Sequence, residues 1–168
     1  MIRAILVCGL VLAVAVAAAT PLAVGSKVPD LSLATENGKV LKLTPVFHKN
    51  AATLLYFWSF ETGARPDDFV QLQAYVSSAF EGLGVVAICI DGSEVSARDW
   101  KQSVGCTFDF AVDKTDQRTT ARLFGVRKCP ALFVVNREGM ITQRFDRMED
   151  EHVRAALIGL GCEAREGQ

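Results

Sequence analysis

The chain of 168 residues is long enough for one domain with a substantial core, and half of its residues are hydrophobic. Eighteen Lys plus Arg against nineteen Asp plus Glu leave a net charge of −1 with no block of like sign, which argues against a nucleic-acid partner. No internal repeat, low-complexity segment or linker divides the sequence.

Met1-Ile2-Arg3 followed by the apolar run Ala4 to Ala19 has the three-part form of a secretory signal: one positive charge, a hydrophobic core, then small residues in an A-x-A arrangement at Ala17-Ala18-Ala19. Cleavage is expected after Ala19, taking Cys8 with it and leaving residues 20–168 as one secreted or periplasmic domain without a stable membrane span. The alternative is an uncleaved membrane anchor. At ~1.5 Å per residue, however, such a helix spans about 24 Å, short of the roughly 30 Å hydrocarbon core.

Next, Leu31 and Leu33 alternate as a short edge strand, Glu36-Asn37-Gly38-Lys39 forms a hairpin turn, and Val40-Leu41-Lys42-Leu43 returns as its partner. Thr53 to Ser59 is a β-branched and aromatic run with too few polar residues for a solvated face, so it predicts a central strand covered on both sides. The chain leaves it through Phe60 to Arg65 and enters a helix at Pro66, where a proline at the first position and Asp67 and Asp68 in the first turn suit the exposed amides and the positive end of the dipole. Phe69, Leu72, Val76 and Phe80 carry that helix to Phe80, and Gly82 and Gly84 end it. Val85 to Asp91 predicts a second buried strand, Ser93 to Val104 a helix stopped by Gly105, Thr107 to Asp113 a more exposed strand, and Arg118 to Phe124 another helix. A strand after Pro130, a hairpin at Asn136 to Gly139, a strand over Met140 to Phe145 and a helix over Glu149 to Leu160 complete the chain.

Two phrases carry a resemblance. Phe57-Trp58-Ser59-Phe60 overlays the start of the F-W-A-T-W-C-x-x-C phrase of TlpA/ResA-type thiol-disulfide oxidoreductases, and Phe124-Gly125-Val126 through Pro130 to Gly139 resembles the Y-G-V-x-x-x-P-T-x-F-x-I-x-x-x-G signature of the thioredoxin-like superfamily. Gly25 to Leu31 is similar to the G-x-x-A-P-D-F opening that TlpA-like chains share with the AhpC/TSA (peroxiredoxin) proteins. The likeness extends over about residues 25 to 160. It implies an α/β thioredoxin fold, three layers around a central mixed sheet, with the extra βα insertion of the TlpA/peroxiredoxin group. It also implies that Pro130 is cis and faces a redox site. At that site the sequence departs from the pattern: Glu61 falls on the tryptophan, Thr62 on the first cysteine and Arg65 on the second. Against the peroxiredoxin version Thr62 fits the threonine and Arg65 replaces the peroxidatic cysteine, so either alignment removes the nucleophile.

Four cysteines remain after cleavage: Cys89, Cys106, Cys129 and Cys162. Right-handed crossovers put the ends carrying Thr62 and Asp91 on one sheet edge and separate Cys106 from Cys129 by about a strand length, beyond the ~7 Å reach of a disulfide. Cys106 and Cys162 share the far edge, the one pairing that topology leaves open. Cys89 reads as core. Cys129, beside the expected cis-proline, has two readings. With Arg127, Lys128 and a helix N-terminus nearby it is a thiol of lowered pKa, fit for monothiol exchange or weak peroxidase chemistry. With no resolving cysteine in reach it is a small residue filling a small hole.

Thr62 and Arg65 at a helix N-terminus suggest a small anion or carboxylate pocket, or a loop that drifted once its cysteines were gone. Glu61 reads as an exposed loop carboxylate rather than a general base. His48 and His152 lie far apart and the CxxxC and histidine set of Sco-type copper chaperones is absent, so neither a metal nor another cofactor is expected. The sequence therefore predicts an exported thioredoxin-fold module without dithiol chemistry, holding an extended polypeptide or another exported protein between Thr62, Arg65 and Pro130. The alternative is an enzyme acting through Cys129.

Overall fold

A computed structural model describes residues 20–114 and 118–165. The expected leader over residues 1–19 lies outside them, and no helix among the described residues is long and apolar enough to cross a membrane.

The elements run β1 (Ser32–Thr35), β2 (Val40–Lys42), α1 (Leu43–Lys49), β3 (Ala52–Trp58), α2 (Pro66–Ala74), β4 (Phe80–Glu81), β5 (Leu83–Cys89), α3 (Glu94–Val104), β6 (Asp109–Val112), α4 (Thr119–Leu123), β7 (Ala131–Asn136), β8 (Ile141–Phe145), α5 (Asp150–Gly159) and β9 (Glu163–Ala164). Seven strands form one mixed sheet in the order β2-β1-β6-β5-β3-β7-β8, and β4 pairs with β9 in a separate ribbon. Strands β3, β5 and β6 are parallel, while β7 runs antiparallel to β3.

All seven residues of β3 are buried because both faces are covered. Leu54, Tyr56 and Trp58 pack with Phe69 and Leu72 of α2, Ala97 of α3 and Val153 and Leu157 of α5. Leu55 and Phe57 alternate to the other face, against Leu43 and Phe47 of α1, Ala121 of α4 and Phe124 just past its end. These are the three layers of a thioredoxin fold. Helix α3 has the boundaries its sequence predicts: Ser93 caps it through a bond from the Ser96 amide, and Gly105 closes it at φ 67°, a conformation that glycine adopts without a Cβ clash.

Three expectations change. The return strand stops at Lys42, and Leu43 opens the unassigned helix α1, whose Leu43 and Phe47 bury one turn apart. Regular α2 ends at Ala74 rather than Phe80. The chain then makes one wide turn over Tyr75–Ala79, in which the Ser78 hydroxyl donates to the Ala74 carbonyl, and Phe80 becomes a strand residue. Strand β6 is not an exposed one: Phe110 and Val112 pack in the cluster that holds Phe69 of α2 and Ala97 of α3, Ala111 packs on the opposite face, and β1 pairs along its free side.

All four described cysteines are free thiols, including Cys106 and Cys162, whose pairing topology left open. The first residue of β6 pairs with Val86 rather than with the start of β5, which carries Cys106 to the Phe69 carbonyl under α2. Cys162 lies against the Gly82 carbonyl and is not bonded to Cys106.

Candidate functional site

The register sets the site. Phe57 pairs with Ala131, so the residues just before β7 arrive beside the last residues of β3. The Cys129–Pro130 bond there is cis, as the resemblance implies.

The loop from β3 to α2 is held by Asp91, which follows β5. Its carboxylate accepts bonds from the Ser59 hydroxyl at 2.5 Å, the Phe60 amide at 2.9 Å and the Glu61 amide at 3.0 Å. Ser59 in turn accepts the Thr62 amide at 3.1 Å, and Gly63 supplies the positive φ that turns the chain toward α2. Burial works to raise the Asp91 pKa, but the bonds from Ser59 and the Glu61 and Phe60 amides outweigh it, so the carboxyl is held below its ordinary value. The Phe60 ring anchors the loop from below, edge-on to Trp58 with centroids 4.7 Å apart. Behind the loop, the buried Tyr56 hydroxyl donates to Asp68 in the first turn of α2 at 2.6 Å.

Arg65, Cys129 and Pro130 line one cleft of about 590 Å³; Thr62 is not on its lining but sits on the exposed loop. Burial pushes the Cys129 thiol up to about 11, the Asp91 charge adds to this, and Arg118 opposes it. The cationic lowering expected from the sequence does not arise, because Arg127 and Lys128 are exposed to water that screens them. The other thiols are raised by burial as well, Cys89 to about 12 and Cys106 to about 11, and Cys162 in the same direction. Glu61 is an exposed carboxylate paired with Arg118 at 3.1 Å. Among the described residues no three His, Cys, Asp or Glu side chains gather in a way that would hold a metal ion.

The remaining cleft walls join Arg127 and Lys128, which the sequence placed beside Cys129, to residues it did not single out. Gly125, Arg127 and Lys128 come from the loop before Pro130, and Arg144, Asp146 and Arg147 from the end of β8. The hairpin signal at Asn136 to Gly139 was the available clue: an antiparallel β8 must finish where β7 begins, and Phe145 does pair with Leu132.

The same scaffold recurs in proteins already described. The AhpC/TSA family model matches residues 24–144. The chain belongs to that family. Within it, the chain resembles the thiol-disulfide oxidoreductase ResA of Geobacillus thermodenitrificans, with 24% identity over 127 residues covering 73% of this chain and 68% of ResA. The fold matches a Chlorobium tepidum structure described as thiol:disulfide interchange protein DsbE at a TM-score of 0.68 and 28% identity, covering 83% of this chain and 99% of that one. It also matches a thiol-disulfide oxidoreductase from Bacteroides fragilis at a TM-score of 0.67 and 20% identity, covering 80% and 99%. This member of the AhpC/TSA family is thus a thioredoxin-like protein of the TlpA/ResA type.

Proposed function

We propose that this protein is exported, has given up dithiol exchange, and serves as a non-catalytic binding module that holds an extended polypeptide or another exported protein in the cleft beside Pro130. One observation carries the reading: the loop between β3 and α2 has Thr62-Gly63-Ala64-Arg65 and no cysteine, on a scaffold otherwise like those of thiol-disulfide oxidoreductases. The raised Cys129 pKa supports it, since a thiol protonated at neutral pH is a poor nucleophile. Export rests on the charge, apolar run and small residues of the first nineteen positions.

The test is insulin-disulfide reduction with dithiothreitol as the electron source. The purified protein does not accelerate the reduction beyond dithiothreitol alone, and the double variant Thr62→Cys with Arg65→Cys, which puts a C-x-x-C at the N-terminus of α2, does. Substantial acceleration by the unaltered chain overturns the proposal, and a folded double variant without activity overturns the assignment of those two positions.

A second reading has one observation in its favour: Cys129 is only partly buried and lines the cleft. As a monothiol oxidoreductase or weak peroxidase the protein loses all activity in Cys129→Ser, and that thiol alkylates readily below pH 7.

A further inference from the structure

The cleft beside Pro130 has a charge that the chain as a whole does not. Five cations, Arg65, Arg127, Lys128, Arg144 and Arg147, line it against the single carboxylate of Asp146, in a protein whose net charge is −1. Two of the five are already engaged: Arg144 lies 3.5 Å from Asp146 and over the Phe133 ring, and Arg147 pairs with Glu149. Arg65, Arg127 and Lys128 are exposed and have no carboxylate partner among the described residues. Like charges drawn into one concavity focus a positive potential and raise the local concentration of anions. Arginine forks also match the two oxygens of a carboxylate.

The cleft is not a closed pocket for a small anion. Arg144, Asp146 and Arg147 continue into an adjoining cavity that adds Phe145 and Glu149, a carboxylate already paired with Arg147 and His152, and Phe145 leads into a third between β8 and α5, lined by Thr142, Gln143 and His152. This path follows β8, the last strand of the sheet. The Gly25–Ser26 segment takes the backbone of Ile141, and beyond it no described strand pairs with the outer edge of β8. A free edge offers main-chain partners to an extended chain.

We propose that the cleft and the β8 edge together select an acidic polypeptide, an extended segment whose carboxylates meet Arg65, Arg127 and Lys128. This rests on the reading of the cleft as a polypeptide site and adds the chemistry of the occupant.

The experiment is fluorescence anisotropy of the purified protein with three labelled peptides of about a dozen residues, matched in sequence except for four Glu, four Gln or four Lys. The Glu peptide is expected to bind at least about tenfold more tightly than the Gln peptide, and the Lys peptide most weakly. That preference is expected to shrink as salt rises from about 0.05 to 0.3 M, over which the screening length falls from about 14 Å to about 6 Å. Arg127→Gln with Lys128→Gln, both on the surface, removes most of the preference, whereas Lys39→Gln with Lys42→Gln on the far β1–β2 hairpin leaves it unchanged.

Equal binding of all three peptides overturns acid selection while leaving the polypeptide site standing. No binding by any peptide overturns both readings. Tighter binding of single-stranded DNA or anionic vesicles than of the Glu peptide overturns the choice of a polypeptide. Retained preference in a folded Arg127→Gln, Lys128→Gln variant, checked by its melting curve, removes the cleft as its source.

Discussion

Removing the Asp91 carboxylate tests whether the loop is held as described. In Asp91→Ala four donors lose their acceptor: the Ser59 hydroxyl, the amides of Phe60 and Glu61, and the Cys89 thiol, a weak donor at 3.7 Å. A hydrogen bond to a charged group contributes about 1.5–3 kcal/mol, and a buried donor left without a partner costs about as much. The two amides lie on the exposed loop and regain water, but Ser59 is 2% exposed and does not. The expected loss is therefore about 2–3 kcal/mol, the worth of roughly one such bond rather than of them all. Guanidinium unfolding at neutral pH measures it. Asp91→Asn keeps an acceptor oxygen without the charge, and an intermediate loss is expected.

The pH dependence has a fixed sign. Because the Asp91 pKa is lower in the folded protein, its contribution is complete above the unfolded value of about 3.9 and is lost as pH falls through the folded one. The stability gap between the unaltered protein and Asp91→Asn should accordingly narrow below about pH 4. A loss under about 0.5 kcal/mol in Asp91→Ala, or a gap that stays constant between about pH 7 and pH 3, would refute the reasoning.

Two further outcomes are expected. Alkylation of native Cys129 should accelerate steeply with pH toward a midpoint near 11, with little reaction at neutral pH, and a midpoint below about 8 would show that burial does not govern this thiol. Gly92→Ala should destabilise by about 1–3 kcal/mol through overpacking, since its Cβ would meet the Cys89 sulfur at 2.7 Å and the Phe60 ring at 2.9 Å; an unchanged melting temperature would mean the loop yields at no cost.

Much of the fold was legible because the residues that specify it are neighbours in sequence. An unbroken apolar run is enough to predict β3 and β5, since parallel inner strands need both faces covered. Ser93 and Gly105 fix the ends of α3 by local chemistry. By contrast, α1 has seven residues with Pro45 in its first turn, a length that water does not stabilise without the burial of Leu43 and Phe47. The burial of β6 depends on α2 and α3 covering it and on β1 arriving beside it from a segment far earlier in the chain.

The candidate site divides the same way. By itself the sequence determined the scaffold, the cis-proline phrase and the absence of cysteine between β3 and α2, because each is a matter of residue type at a fixed local spacing. Only the tertiary structure decided that Asp91 holds the loop, that Thr62 stays off the cleft lining while Arg144 and Arg147 join it, and that Cys129 is a half-buried thiol of raised pKa. Charge and burial act through space, and the strand register that brings these side chains together is not written in any one stretch of the chain.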